Sequence, residues 1–375
     1  MKICTITCHD VYNHGASLQA YALMKYLVNI GNEVEIIDYK PDYLSSHYNI
    51  WSVDNIVWKK NIITKAIYLT LKIPMRIKSL KRKKAFDRFK EEYLTITSER
   101  YTSNDELKSN LPNADAYICG SDQIWNSLHK NGKDPAFYLD FVPDDKIKFS
   151  YAASFATDYI DDKYKPMVNE KIMRLDGIGI REKSGVKIVE KLGIREAVNV
   201  VDPVFLLDKR EWDKIGTETF EDKYILIYDF DNSSLVEKLA IDIANRKGYK
   251  IYTISVNKHK YADRHFNLSG PTTFISLLKN AEFIISNSFH AVVFSAIYNK
   301  NMVIVNRKEN INTRMRDLLD DLQLKNRIVD EDYKVEDILK EIDYSKANKI
   351  LNKKINLSKS YINNILKTNK LNDIT

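Results

Sequence analysis

Five short polar segments, each beside an apolar run, hold the residue types that anion binding and proton transfer require. In Ser286-Asn287-Ser288-Phe289-His290, Ser and Asn suit a helix cap, and the free N–H groups of a helix start attract phosphate or carboxylate. A His in the first turn adds a hydrogen bond or a proton; an ordinary capped helix with a buried His fits the same pattern. Gly120-Ser121-Asp122-Gln123-Ile124-Trp125-Asn126 packs a flexible Gly, four polar side chains and an indole into one loop. Asp122 can accept a hydroxyl proton, and Trp125 with Asn126 suits the faces and edges of a sugar, whereas an Asx-capped turn explains Gly-Ser-Asp alone. Arg181-Glu182 follows an apolar run and reads as an anion clamp or as a surface pair of small energetic content. Asn13, His14 and Gln19 surround Gly15, whose missing Cβ permits close approach of a ligand. Arg307 and Arg314 flank the polar stretch 308–313 and can neutralise a phosphate or simply solvate that loop.

The elements that must position these segments alternate in type. Residues 2–7 read as a buried strand, 18–27 as a helix stopped by Gly31-Asn32, and 33–39 as a second strand. Such a βαβ unit belongs in a parallel sheet with right-handed crossover. Further strands are expected at 114–122, 149–155 and 177–180. Val200-Val201-Asp202-Pro203-Val204-Phe205-Leu206-Leu207 reads as a hinge, after which strands at 224–228, 250–255, 283–286 and 302–305 alternate with helices at 235–245, 272–279 and 290–298. The expectation is two Rossmann-like, doubly wound α/β domains facing across a cleft. They divide at 1–205 (acceptor side) and 206–345 (donor side), with a helical tail at 346–375. A basic amphipathic insertion occupies 59–90, and Pro74 is expected to break or kink its helix. The polar segments all follow strand ends, where open α/β sheets bind ligands.

Bulk composition sets the class. Of 375 residues, 44% are hydrophobic and 29% charged, a soluble globular balance, and 11 Gly with 8 Pro exclude collagen-like or low-complexity chains. The net charge of +7 suits phosphorylated small molecules, lipid head groups or nucleic acid, and equally a Lys-rich surface with no partner at all. Cys4, Cys8 and Cys119 are odd in number and lack metal spacing, which points to a reducing compartment. Met1 to Thr7 reads straight into a strand without a signal-peptide pattern, so a cytoplasmic location is expected. The chain lacks a Walker loop, a GxGxxG, a zinc cluster and a GxSxG elbow, which removes P-loop ATPases and common hydrolases.

Taken in order, Asn13, Gly15, Ala16, Leu18 and Gln19, then Gly120 to Asn126, Arg181-Glu182-Lys183-Ser184, Asp202-Pro203-Val204, Ser286 to Ala291 and Arg314 resemble the polysaccharide pyruvyl transferase family. The resemblance covers residues 1 to about 330, and the Gly-Ser-Asp-Gln-Ile-Trp-Asn and Asn-Ser-Phe-His segments are its most specific parts. It implies a fold similar to GT-B glycosyltransferases and transfer of pyruvate from phosphoenolpyruvate onto sugar hydroxyls as a ketal, in cell-surface glycan synthesis. It further implies His290 as general acid or phosphate ligand, and Arg181, Arg314, Ser288 and Asn287 as donor contacts. Asp122 would be the acceptor base or a hydroxyl ligand, and Asn13, Gln123, Trp125 and Asn126 the acceptor contacts. Some relatives carry an Arg where Ser288 stands, which throws more of the cationic work onto Arg314. No metal, cofactor or nucleic acid is expected; the partners are phosphoenolpyruvate, a free or lipid-linked sugar and, through 59–90, anionic membrane. A nucleotide-sugar glycosyltransferase would share the fold and cleft, and a non-catalytic glycan-binding protein would keep Trp125 without needing His290 or the arginines.

Overall fold

The computed structural model describes residues 1–45, 61–194 and 196–372. In chain order the first sheet takes β1 (Lys2–Ile6), β2 (Glu33–Tyr39), β3 (Ile96–Tyr101), β4 (Ala116–Cys119), β5 (Ile147–Ala153), β6 (Gly177–Ile180) and β7 (Val198–Asn199). The second takes β8 (Tyr224–Tyr228), β9 (Lys250–Thr253), β10 (Arg264–His265), β11 (Phe283–Ser286), β12 (Asn301–Val305) and β13 (Ile328–Val329). The spatial orders are β3-β2-β1-β4-β5-β6-β7 and β10-β9-β8-β11-β12-β13, and the pairings are parallel. Both are doubly wound α/β sheets, and each reverses its winding once, between β1 and β4 and between β8 and β11. At those two points the loops leaving the carboxyl ends diverge and leave a crevice. The polar segments after β1, β4 and β11 leave strands at these points, the Arg307–Arg314 segment leaves β12 one strand away, and Arg181-Glu182 leaves β6 two strands away.

Strands buried on both faces need apolar side chains throughout, and β8 (Tyr-Ile-Leu-Ile-Tyr) and β11 (Phe-Ile-Ile-Ser) are buried along their whole length. One core layer lies on the outer face of each sheet, around Ile6, Tyr117 and Trp125 in the first and Ile227, Leu239 and Ile285 in the second. A third core runs continuously between the sheets and joins Leu18 and Ala22 to Trp212, Phe274 and Phe294. The helix Ser345–Asn372 returns to the first sheet, where Tyr361 Oη donates to Ser150 O at 2.9 Å and Ser358 Oγ accepts from Val201 N at 2.9 Å.

Three expectations change. β3 was not foreseen, because Ile-Thr-Ser-Glu-Arg-Tyr is an edge strand with an exposed polar middle. Residues 203–206, read as a hinge, form a single buried 3-10 turn capped by Asp202. Pro74 does not end its helix, which spans Ile62–Tyr93. The half of the helix beyond it is firmly anchored. Phe86 and Phe89 are buried there, and Arg82 donates to Tyr12 O at 3.0 Å and to Asn267 O at 3.2 Å, one in each domain. Lys83 and Lys90 pair with Asp87 and Asp10, while Lys81, Lys84 and Arg88 stay exposed. Residues 59 and 60 lie outside the described residues. Among the described residues no helix is long and apolar enough to cross a membrane.

Candidate active site

The cleft holds a pocket lined by Asn13, Asp122, Gln123, Asn287, Ser288, His290, Arg307 and Arg314, with Phe230, Phe289, Ile311 and Met315. These residues follow β1, β4, β8, β11 and β12, so both winding reversals contribute to one site.

From the first domain, Asn13 caps the helix His14–Asn29 by accepting from Gly15 N at 3.0 Å and Ala16 N at 3.3 Å. That helix start is locked to the loop after β4. Gln19 Nε2 donates to Thr7 Oγ1 at 2.9 Å, and Gln19 Oε1 accepts from Ser121 N at 3.0 Å. Gly120, at φ +125°, has no room for a side chain, since a Cβ would lie 2.1 Å from Tyr151 O. Asp122 follows at φ +74° and turns its carboxylate into the cleft.

From the second domain, Ser286 Oγ accepts from Ser288 N at 3.0 Å and starts the helix Phe289–Ile297. Ser288 holds the cap position but its side chain makes no capping bond, so its hydroxyl and the orphan N–H groups of this helix start remain for a ligand. Asn287 lines the same wall, although both ends of its amide are engaged, with Phe230 N at 3.0 Å and Asp229 Oδ1 at 2.6 Å.

The charges form a chain. Asp202, wholly buried, accepts from Arg181 Nη1 at 2.8 Å and Val204 N at 3.0 Å, and lies 3.5 Å from His290 Nε2. Burial works to raise its carboxyl, but His290 and Arg181 outweigh it and hold the group well below the usual carboxylate range. Asp122 Oδ1 lies 3.6 Å from Arg181 Nη2 and 3.7 Å from Arg314 Nη1, and the two guanidiniums stand 4.5 Å and 5.6 Å from the Phe289 ring centre. Two cations therefore share Asp122, while Asp202 serves Arg181 and His290, and the buried Glu182 adds its field to both guanidiniums. Arg314 is left under-neutralised: burial, then repulsion by Arg181, lowers its pKa to about 10. Its Nε has no hydrogen-bond partner, and Gln123, with its amide oxygen turned toward it, accepts from Nη2 at 2.9 Å. Arg307 is better matched, with both Asp231 oxygens within 3.0 Å of its Nε. A pocket holding a buried cation whose carboxylate contact is long and shared, a helix start and a carboxylate-backed imidazole can bind an anion and deliver a proton to it.

The sequence matches the polysaccharide pyruvyl transferase family over residues 13–310. The chain belongs to that family. Among curated proteins no relative matches. Among solved structures, the UDP-GlcNAc 2-epimerase of Methanocaldococcus jannaschii superposes at TM-score 0.52, with 12% identity, 94% of this chain and 99% of that one covered. The Neisseria meningitidis UDP-GlcNAc 2-epimerase gives 0.49 at 9% identity, covering 98% and 100%, and UGT89C1 of Arabidopsis thaliana gives 0.42 at 10%, covering 95% and 98%. The fold of this transferase is thus GT-B-like, with two Rossmann-like domains.

The sequence reading and the geometry differ at several residues of the transferase. Trp125 is fully buried, stacked on Tyr138 at 5.4 Å with its Nε1 donating to Phe137 O, so it is a core residue with no face for a sugar. Asn126 is equally buried, with its Oδ1 accepting from Leu128 N at 3.0 Å, and shapes the loop instead of touching the cleft. Arg181 stands behind the lining, its charge spent on Asp202 and Asp122, and so positions those groups instead of clamping from the surface. Glu182 is sealed too, accepting from Phe155 N, Ala156 N and Ser154 Oγ. The close approach at Gly15 is made by protein: a Cβ there would lie 1.9 Å from His290 Nδ1. Sequence reasoning missed Asp202 as a site residue, reading its Asp-Pro pair as a hinge; a carboxylate closing an apolar run was the available signal. Among the described residues no cluster of His, Cys, Asp and Glu could hold a metal, and the three cysteines are buried and free.

Proposed function

We propose that this transferase moves pyruvate from phosphoenolpyruvate onto two hydroxyls of a sugar in the assembly of a cell-surface glycan. The observation that carries the proposal is the under-neutralised Arg314 guanidinium facing the same pocket as His290 with Asp202 behind it. The donor brings a carboxylate and a phosphate, the charges such a pocket lacks. One hydroxyl adds to the central carbon of the enol phosphate while a proton reaches the methylene carbon, which becomes a methyl group. The second hydroxyl then displaces phosphate and closes the ketal. His290 is the proposed acid, and Asp202 steadies its charged form. Arg314, Ser288 and the helix start hold the anionic groups; Asp122 takes the acceptor proton or binds the hydroxyl, with Asn13 and Gln123 beside it. Positioning and charge stabilisation supply the rest of the rate. The proposed setting is the cytoplasm, with an acceptor that is lipid-linked or free and the segment 59–90 as the contact with anionic membrane. Co-sedimentation with anionic vesicles at low salt tests that contact, and failure to bind removes it.

A ligand bound only by the folded state raises the melting temperature. Phosphoenolpyruvate is expected to do so and nucleotide sugars are not. Stabilisation by a nucleotide sugar alone would instead favour a glycosyltransferase reading of the same fold.

A further inference from the structure

Arg181 belongs to the first domain and Arg314 to the second, and like charges so close repel unless the backbone holds them. One hydrogen bond between the domains ties the two segments that carry them. Ser184, three residues after Arg181, donates its backbone N–H to Asp317 Oδ2 at 2.8 Å, and Asp317 is three residues after Arg314. The helix Lys183–Lys191 has no side-chain cap from its own N-cap residue, Glu182, whose carboxylate is turned inward to Phe155 N and Ala156 N. Its start is capped in trans by Asp317, an anion on a helix N-terminus, where the orphan N–H groups favour negative charge. The helix Thr313–Asp321 thus sends Arg314 into the cleft and Asp317 into the other domain, and one turn on Asp321 pairs with Lys183 and with Lys354 of the C-terminal helix.

We propose that Asp317 is a positioning residue: as an interdomain clasp on Ser184 N it fixes the spacing of the Arg181 and Arg314 guanidiniums and so sets anion affinity in the cleft. The inference rests on the reading of that cleft as an anion-binding donor site, but the clasp itself is measurable without it. A hydrogen bond to a carboxylate is worth more than a neutral one, and its loss frees Arg314 to move away from Arg181.

The test uses the full chain as wild type, Asp317→Ala, Asp317→Asn and, as a control for charge on the same helix, the exposed Asp320→Ala. Two quantities are measured: hydrogen exchange of the segment containing the Ser184 amide, and the dissociation constants of phosphoenolpyruvate and inorganic phosphate by calorimetry. Asp317→Ala is expected to speed exchange at Ser184 and to weaken phosphoenolpyruvate by about tenfold. Asp317→Asn, which keeps an acceptor oxygen, should recover most of both, and Asp320→Ala should match wild type. In turnover the Asp317→Ala loss should fall on the donor KM with kcat within a few-fold. Unchanged exchange at Ser184 overturns the clasp, as does faster exchange with unchanged anion affinity, or a loss equal in Asp320→Ala. If Asp317→Ala does not fold, Asp317→Asn carries the measurement, with a smaller loss of the same sign expected and no loss in either quantity contradicting the proposal. If wild type binds neither anion, the donor reading fails, and the exchange data alone decide whether the clasp exists.

Discussion

Two histidines start two helices that meet across the cleft, and they have opposite surroundings. His14 opens the helix His14–Asn29 and is fully buried among rings, stacked on Phe274 at 4.8 Å and close to Phe86 at 4.9 Å, with no partner on either nitrogen. Burial, and then Arg82, push its pKa well below the ordinary value. His290, in the first turn of the helix Phe289–Ile297, faces Asp202 at 3.5 Å and lines the cleft. Gly15 links the two, since it follows His14 in the chain and the His290 ring rests on it. Position at a helix start therefore does not make a histidine chemical. A carboxylate behind it and open space in front do.

The largest effect should come from the chemical member of the pair. His290→Asn keeps size and hydrogen bonding and should slow turnover ~10²–10⁴-fold, with a melting temperature close to wild type. Gly15→Ala should approach that loss with every reacting group still present, since its methyl group takes the place of the imidazole. A rate for Gly15→Ala near wild type would show that the ring can stand elsewhere. Asp202→Asn leaves Arg181 and His290 buried without their shared counter-charge, and should cost about 3–5 kcal/mol in denaturant unfolding. Arg314→Met should weaken phosphoenolpyruvate by roughly 10- to 100-fold while leaving the fold intact.

The smallest effect belongs to His14. Its folded-state pKa is depressed, so the unfolded chain takes up a proton near pH 6.5 that the native protein refuses. Its contribution to stability is therefore full above that pH and falls as pH drops below it, by at most about 1.4 kcal/mol per unit. His14→Phe should keep turnover within a few-fold and flatten the decline of melting temperature between about pH 7 and 5. Unchanged pH dependence would mean that His14 is charged in the fold, and the contrast with His290 would collapse.

Most of the architecture was legible because buried parallel strands such as Phe283–Ser286 and Tyr224–Tyr228 are apolar throughout, a pattern that solvent-facing edge strands lack. That is why Ile96–Tyr101 was missed. The loops were placed correctly at strand ends, but which side chains face the cleft was not legible. Trp125 and Asp122 are three residues apart in one loop, and only the left-handed turn at Asp122 and the stacking on Tyr138 send one outward and one inward. The role of Asp202 in the site was not legible because its partners, Arg181 and His290, lie 21 and 88 residues away in the chain. Ion pairs of that separation leave no local pattern.

The central claim is that one cleft binds an enol phosphate at Arg314 and protonates it from His290. It is tested most directly by incubating wild type and His290→Asn with phosphoenolpyruvate and a panel of lipid-linked and nucleotide-linked sugars, following released phosphate and the mass of the acceptor together. The account predicts phosphate release matched mole for mole by a carboxyethylidene group on one acceptor, lost in His290→Asn by ~10²-fold or more. Release that His290→Asn leaves unchanged, or transfer of a sugar from a nucleotide donor with no use of phosphoenolpyruvate, would contradict it.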